Sequence, residues 1–253
     1  MNRINNAFAK GKAFIGFLTG GDPSIEKTKE FAMEMIRAGA DLIEIGIPFS
    51  DPIAEGPVIQ EANLRALRTG TTVEKLFTLT EDLRKETVIP IVFLTYFNPV
   101  LNYGLDAFFK RASHVGLDGI IIPDLPFEEQ APVRESALRQ GIDLISLIAP
   151  TSEARIKEIA AAASGFIYIV SSMGVTGVRS NITTDIGSIV KSVRQVTDVP
   201  CAIGFGIHTP EQAAQMAQIA DGVIVGSAIV KIIAEHQESA GPYIYDYVKK
   251  MTP

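Results

Sequence analysis

One glutamate stands where charge is costly. Leu42-Ile43-Glu44-Ile45-Gly46-Ile47 reads as a β-strand, apolar except at Glu44. Successive strand residues point to opposite faces, so Ile43, Ile45 and Ile47 share one face and Leu42, Glu44 and Gly46 the other. The all-isoleucine face belongs against covering helices, which turns Glu44 inward. A buried carboxylate is unfavourable unless it is paired or keeps its proton. No basic residue lies within the strand runs to pair with it. A carboxyl that holds its proton near neutral pH is a general acid.

Other candidates are less distinctive by residue type. Asp124 ends Ile121-Ile122-Pro123-Asp124-Leu125 and suits a turn or helix cap as well as a site. Asp51 and Glu55, in Asp51-Pro52-Ile53-Ala54-Glu55-Gly56-Pro57, read as a solvated loop face. Tyr96 and Tyr168, near strand ends, suit core filling with the hydroxyl at the rim. Gly174-Val175-Thr176-Gly177, Gly204-Phe205-Gly206 and Gly226-Ser227 follow the last three strands. Glycine lets backbone N–H groups approach an anion closely, and these loops bind phosphate in many barrels.

Absences narrow the chemistry. The strand runs contain no lysine, which disfavours a Schiff base. His114, His208 and His236 are scattered, so no metal centre is expected. One cysteine, Cys201, and no nucleophile elbow disfavour covalent acyl transfer. What remains is proton transfer by carboxylates on a phosphorylated small molecule.

The elements that position these groups alternate. β-rich runs lie at Ala13–Thr19, Asp41–Phe49, Ile89–Phe97, Asp118–Leu125, Asp143–Ala149, Gly165–Ser171, Pro200–Gly206 and Gly222–Val225. Several are continuously apolar, as strands covered on both faces are. Helical patterns such as Thr28–Ala38 and Ser152–Ala163 lie between them. Eight strand-then-helix units predict a (β/α)8 TIM barrel, with one domain over residues 1–253. An open doubly wound sheet is the second reading, but Gly16-Phe17-Leu18-Thr19-Gly20-Gly21 lacks its G-x-G-x-x-G fingerprint. The longest units follow strands 2 and 6, which predicts extended loops there, together suited to a lid. Part of the first surplus, Pro57–Arg68, reads as an added surface helix with Val58, Ala62 and Ala66 on one stripe.

The 23 Lys and Arg against 29 Asp and Glu exclude a basic nucleic-acid footprint. No apolar run is long enough to span a membrane, and no h-region follows the first residues. The single cysteine fits a cytoplasmic protein.

The run from Leu42 through Pro48-Phe49-Ser50-Asp51-Pro52 to Pro57 resembles the signature of the tryptophan synthase alpha chain family. Further similar segments occur in family order: Phe17 through Asp22-Pro23, Pro123-Asp124-Leu125-Pro126, Tyr168 through Gly177, Gly204-Phe205-Gly206-Ile207 and Gly226-Ser227-Ala228-Ile229-Val230. The resemblance implies cleavage of indole-3-glycerol phosphate to indole and glyceraldehyde 3-phosphate. It implies Glu44, Glu55 and Tyr168 as catalytic residues, Glu55 standing where the family commonly has aspartate. It implies that Phe17, Asp124 and Phe205 line the indole pocket or orient the substrate, and that Gly177, Gly206, Gly226 and Ser227 lie at the phosphate. Asp51, Pro52 and Asn98 match the face that meets a beta chain in an α2β2 assembly. That partner carries pyridoxal phosphate, and no cofactor is expected in this chain.

Three other functions compete with that implication. A free-standing indole-producing lyase shares the family motif. A barrel isomerase of a phosphorylated sugar-amine needs an acid/base pair at the ends of strands 1 and 5, where only Asp22 could serve. A non-catalytic phosphate-binding subunit would not need the two glutamates.

Overall fold

The computed structural model describes residues 3–170, 182–204 and 206–252. Nine strands make one parallel sheet: β1 Ala13–Thr19, β2 Leu42–Gly46, β3 Ile91–Leu94, β4 Gly119–Ile121, β5 Asp143–Leu144, β6 Ser146–Ile148, β7 Ile167–Val170, β8 Cys201–Gly204 and β9 Gly222–Val225. Their order is β5-β4-β3-β2-β1-β9-β8-β7-β6. The ends of that list, β5 and β6, flank Ile145, whose N–H donates to Ile120 O at 2.9 Å. The sheet therefore meets itself through one run, and the (β/α)8 barrel is nearly closed.

The expected strand Asp143–Ala149 is thus two short strands. Its first half pairs with β4 and its second with β7, and the ladder breaks at the handover. Other strands are shorter than their apolar runs because prolines interrupt the ladder. Pro90 has no N–H to give, yet its carbonyl still accepts from Ile43 N at 3.1 Å.

Two apolar layers result. Ile15, Leu42, Val92, Ile121, Ile145, Phe166, Tyr168, Ala202 and Ile224 fill the barrel interior. Ile43, Ile45 and Ile47 lie in the outer layer with Phe31, Met35, Phe77 and Phe108, between strands and helices. The period-2 alternation of β2 holds, and Glu44 faces inward with Leu42. The short helix Arg3–Phe8 closes the N-terminal end of the barrel, with Ile4 fully buried and the rings of Phe8 and Phe166 5.8 Å apart. Only Ile4, Ala7 and Phe8 mark it in sequence, too few for a periodic signal.

The covering helices follow their caps. Helix Ile25–Ala38 starts earlier than its apolar pattern because the Ser24 hydroxyl accepts from Lys27 N at 3.1 Å. It ends at Gly39, whose φ of 111° is unfavourable for residues with a Cβ. The surplus after strand 2 holds a loop and the helix Pro57–Arg68, ahead of a second helix, Val73–Arg84. The other expected long loop follows β7, within the sixth apolar run, and falls largely on residues 171–181, outside the described residues.

Helix Pro57–Arg68 is more than a surface addition. Its Arg65 bonds both carboxylate oxygens of Asp22, at 2.8 Å each, and the Asp22 side chain is fully buried. A bidentate guanidinium–carboxylate pair is strong and directional. It ties the helix to the loop that follows β1. Removing one partner of a buried pair strands the other charge. Arg65→Met is expected to lower unfolding free energy in a urea titration by about 2–4 kcal/mol. A loss below about 0.5 kcal/mol, the range of an ordinary surface change, would show that the pair does not hold the helix.

Candidate active site

Glu44 lies mid-strand in β2, in register with Phe17 on β1 and Val92 on β3. It is 1% exposed, and its Oε2 has no hydrogen-bond partner among the described residues. Burial, with a smaller contribution from the charge of Glu55, pushes its carboxyl from 4.5 up to about 8. This group keeps its proton at neutral pH, as an acid must.

Glu55 comes from the loop after β2 and is half-buried. The loop-face reading of this residue does not hold, because the chain folds back over the barrel mouth. Asn63 Nδ2 donates to Glu55 Oε2 at 2.6 Å, and Gln60 Nε2 donates to its backbone carbonyl at 2.8 Å. Burial raises the carboxyl's pKa, and the Asn63 hydrogen bond offsets part of that. The site thus holds two carboxyls in different settings. One is fully buried on a strand; the other is half-buried on a loop and receives a hydrogen bond.

Tyr168 is buried in β7, between Leu147 and Ala202 in register. Burial raises its hydroxyl well above the ordinary value, and the charge of Glu44 adds to this. It is a neutral hydroxyl within the field of Glu44. Gly204 makes room for it: a Cβ there would stand 2.4 Å from the Tyr168 hydroxyl. The rim position inferred from residue type is replaced by an interior one.

Phe17 links the two ends of the site. A Cβ on Gly46 would stand 2.8 Å from its ring, and one on Gly226 would stand 3.2 Å away. The ring therefore packs between the strand that carries Glu44 and the loop after β9. Gly226 caps the helix Ser227–His236, whose first turn has free N–H groups. A helix N-terminus favours a phosphate. Gly206, with φ 80°, lies in the loop after β8. Phe205 and Gly177 lie outside the described residues.

Asp124 serves two elements at once. Its Oδ1 accepts the N–H of Phe97 at 2.9 Å, the first residue of helix Phe97–Tyr103. It is a cap, but for the helix of the preceding unit. Asp51 and Pro52 lie in the loop after β2, where Ser50 and Asp51 share a hydrogen bond. Asn98 is exposed on helix Phe97–Tyr103, its Oδ1 accepting from Asn102 Nδ2 at 2.7 Å. Ile53, 81% exposed, and Leu101, 57% exposed, stand in the same two segments.

Sequence reasoning missed Asn63. Its signal was a polar residue on the buried stripe Ile59, Ala62, Asn63 and Ala66. Asp22, the one carboxylate the isomerase reading offered, has both oxygens taken by Arg65. Among the described residues no group of three or more His, Cys, Asp or Glu could hold a metal ion. No helix among them is long and apolar enough to cross a membrane. A depression of about 970 Å³ opens at the opposite end of the barrel, between Asn5, Asp143, Arg194 and Asp221. There Arg194 and Asp221 pair, and Asp221 accepts from Cys201 N at 2.8 Å, so these charges hold the fold together.

Comparison with known proteins agrees with this geometry. The profile of the family "Tryptophan synthase alpha chain" matches residues 4–250. The chain is 49% identical over 251 residues to a tryptophan synthase alpha chain of Lacticaseibacillus casei, covering 99% of this chain and 94% of that one. It is 50% identical over 252 residues to that of Lactiplantibacillus plantarum, covering 99% and 95%. A structure of the tryptophan synthase α2β2 complex of Pyrococcus furiosus superposes with a TM-score of 0.89 at 36% identity, covering 95% of this chain and 98% of that one. The chain belongs to the tryptophan synthase alpha chain family.

Proposed function

We propose that Glu44, Glu55 and Tyr168 carry out the reaction of the tryptophan synthase alpha chain, cleavage of indole-3-glycerol phosphate to indole and glyceraldehyde 3-phosphate. As a member of that family the chain is a carbon–carbon lyase of tryptophan biosynthesis. The observation that carries the residue assignment is the fully buried carboxyl of Glu44, whose Oε2 has no hydrogen-bond partner among the described residues, within the field of a second carboxyl, Glu55.

The bond to break joins indole C3 to C3′ of the glycerol phosphate. An aromatic C3 cannot leave, so it must first become sp³. Glu44 gives its proton to C3. Glu55 takes the N–H proton, and the indolenine tautomer forms. The carboxylate left on Glu44 then takes the C3′ hydroxyl proton. The C3–C3′ electron pair returns to the ring, which recovers its N–H proton from Glu55, and C3′ becomes the aldehyde of glyceraldehyde 3-phosphate. Each glutamate ends as it began. Tyr168, a neutral hydroxyl, lies within the field of Glu44.

Binding energy comes from the far end of the substrate. Gly206, Gly226 and Ser227, with Gly177, hold the phosphate through backbone N–H groups and the start of helix Ser227–His236. Energy gained there positions the ring at the carboxyls. Phe17 and Phe205 line the indole, and Asp124 lies beside it. Asp51, Pro52 and Asn98 face a beta chain in an α2β2 assembly, which receives the indole and carries the pyridoxal phosphate. The exposed Ile53 and Leu101 fit such a face. The buried single cysteine fits a cytoplasmic setting.

Two outcomes test this reading. Glu44→Gln removes the proton donor and keeps the shape. It is expected to lower kcat for indole release at least ~10²-fold, the scale of one general acid/base step, with KM nearly unchanged; near-normal kcat would remove the mechanism. The kcat/KM profile is expected to be bell-shaped. Glu44 must be protonated, so the rate falls as pH rises through about 8. Glu55 must be ionised, so the rate falls as pH drops through its raised value. A flat profile from pH ~6 to ~9, a window around that midpoint, would contradict the role of Glu44, and an acidic limb no higher than the ordinary 4.5 would contradict that of Glu55.

A further inference from the structure

We propose that Tyr96 is a positioning residue for Glu55, acting through the backbone of the catalytic loop; this rests on Glu55 being the base. Glu55 sits in the loop between β2 and helix Pro57–Arg68, and residues 48–55 belong to no strand or helix. Ser50, Asp51, Ile53 and Ala54 are exposed. A loop of this kind samples many conformations unless something fixes it. Yet a general base must sit within hydrogen-bond reach of its proton.

The structure supplies one fixed point immediately before Glu55. The Ala54 N–H donates to the Tyr96 hydroxyl oxygen at 2.9 Å. Tyr96 is itself enclosed. It is 2% exposed, and its ring lies 5.3 Å from that of Phe49, at the start of the same loop. Its backbone is held from the next strand end, because the following N–H, of Phe97, is bonded by Asp124. A single side chain therefore grips the loop at both ends: Phe49 by ring contact, Ala54 by hydrogen bond. Asn63 holds the carboxylate itself from the other side.

The arrangement joins three places on different elements. Asp124 lies on the substrate side, Asn98 on the helix that Asp124 caps, and Glu55 on the loop. Tyr96 precedes Phe97, whose N–H donates to Asp124, and its hydroxyl accepts the N–H of Ala54, the residue before Glu55. Its hydroxyl also feels the charges of Glu55 and Asp124, which add to burial in pushing it up to about 12. It remains a neutral hydroxyl throughout the working range, so the tether does not titrate away.

The rival reading is plain core filling, in which the ring matters and the oxygen does not. Tyr96→Phe separates the two, since it keeps the ring and deletes the acceptor. In the full chain with beta chain present, indole release is expected to fall about 10- to 100-fold in kcat, the scale of a small misplacement of a catalytic group. KM should change less than about twofold, because the phosphate grip is untouched. The same substitution made in a Glu55→Gln chain is expected to change kcat less than about twofold, since groups acting as one unit are not additive. The acidic limb of kcat/KM is expected to move to lower pH, because a freed loop exposes Glu55 and relaxes the effect of burial. An equal fold-loss in both backgrounds, with the acidic limb unmoved, would overturn the tether. Normal turnover in Glu55→Gln alone would instead remove the base assignment on which the tether rests.

Discussion

A carboxyl group enclosed by apolar side chains is the constraint on which the rest depends. Moving its titration from 4.5 to about 8 means that Glu44 favours its proton by roughly 5 kcal/mol more than a solvated carboxyl does. Between those two values the folded chain keeps a proton that the unfolded chain has released. Stability therefore declines as pH rises through that window, and the outer layer of isoleucines and phenylalanines must offset the loss. A core filled for stability alone would place leucine or isoleucine at this position. The glutamate costs stability, and in the proposed reaction the proton it keeps near neutrality is the one donated.

Rigid and adjustable parts divide the work. Glu44 and Tyr168 stand on strands of the barrel wall, where both neighbouring strands fix their backbone. Glu55 stands on a loop, and its place depends on groups from elsewhere: Asn63 on a helix and Tyr96 beyond β3. That helix is in turn fixed by the Arg65–Asp22 pair at the end of β1. The second carboxyl is held less by the barrel than by side chains laid across its mouth. An arrangement of this kind lets ligand or partner contacts on the loop alter the chemistry without deforming the sheet.

The strands were legible because continuous apolar runs separated by turn residues have few other interpretations. Glu44 was legible because one charge violated a strict two-residue alternation. The break at Ile145 was not, since it depends on which strand each half pairs with. Helix Arg3–Phe8 was too short to show a period. The roles of Tyr96 and Asn63 were hidden for a different reason: each is defined by a partner on another element, at separations of 42 and 8 residues. Asn63 left a trace as a polar residue on a buried stripe, whereas Tyr96 looked like any rim tyrosine. Glu55 showed its importance only through the family resemblance, because by residue type it belonged to a loop face.

The proton on Glu44 can be observed on the carboxyl that holds it. Isotope-edited infrared spectra of the chain, compared with those of Glu44→Gln, isolate the protonated carbonyl stretch of Glu44. This band is expected to persist through neutral pH and to disappear with a midpoint near 8. Its loss near the ordinary value of 4.5 would show a carboxylate already ionised at working pH, and Glu44 could not then be the acid.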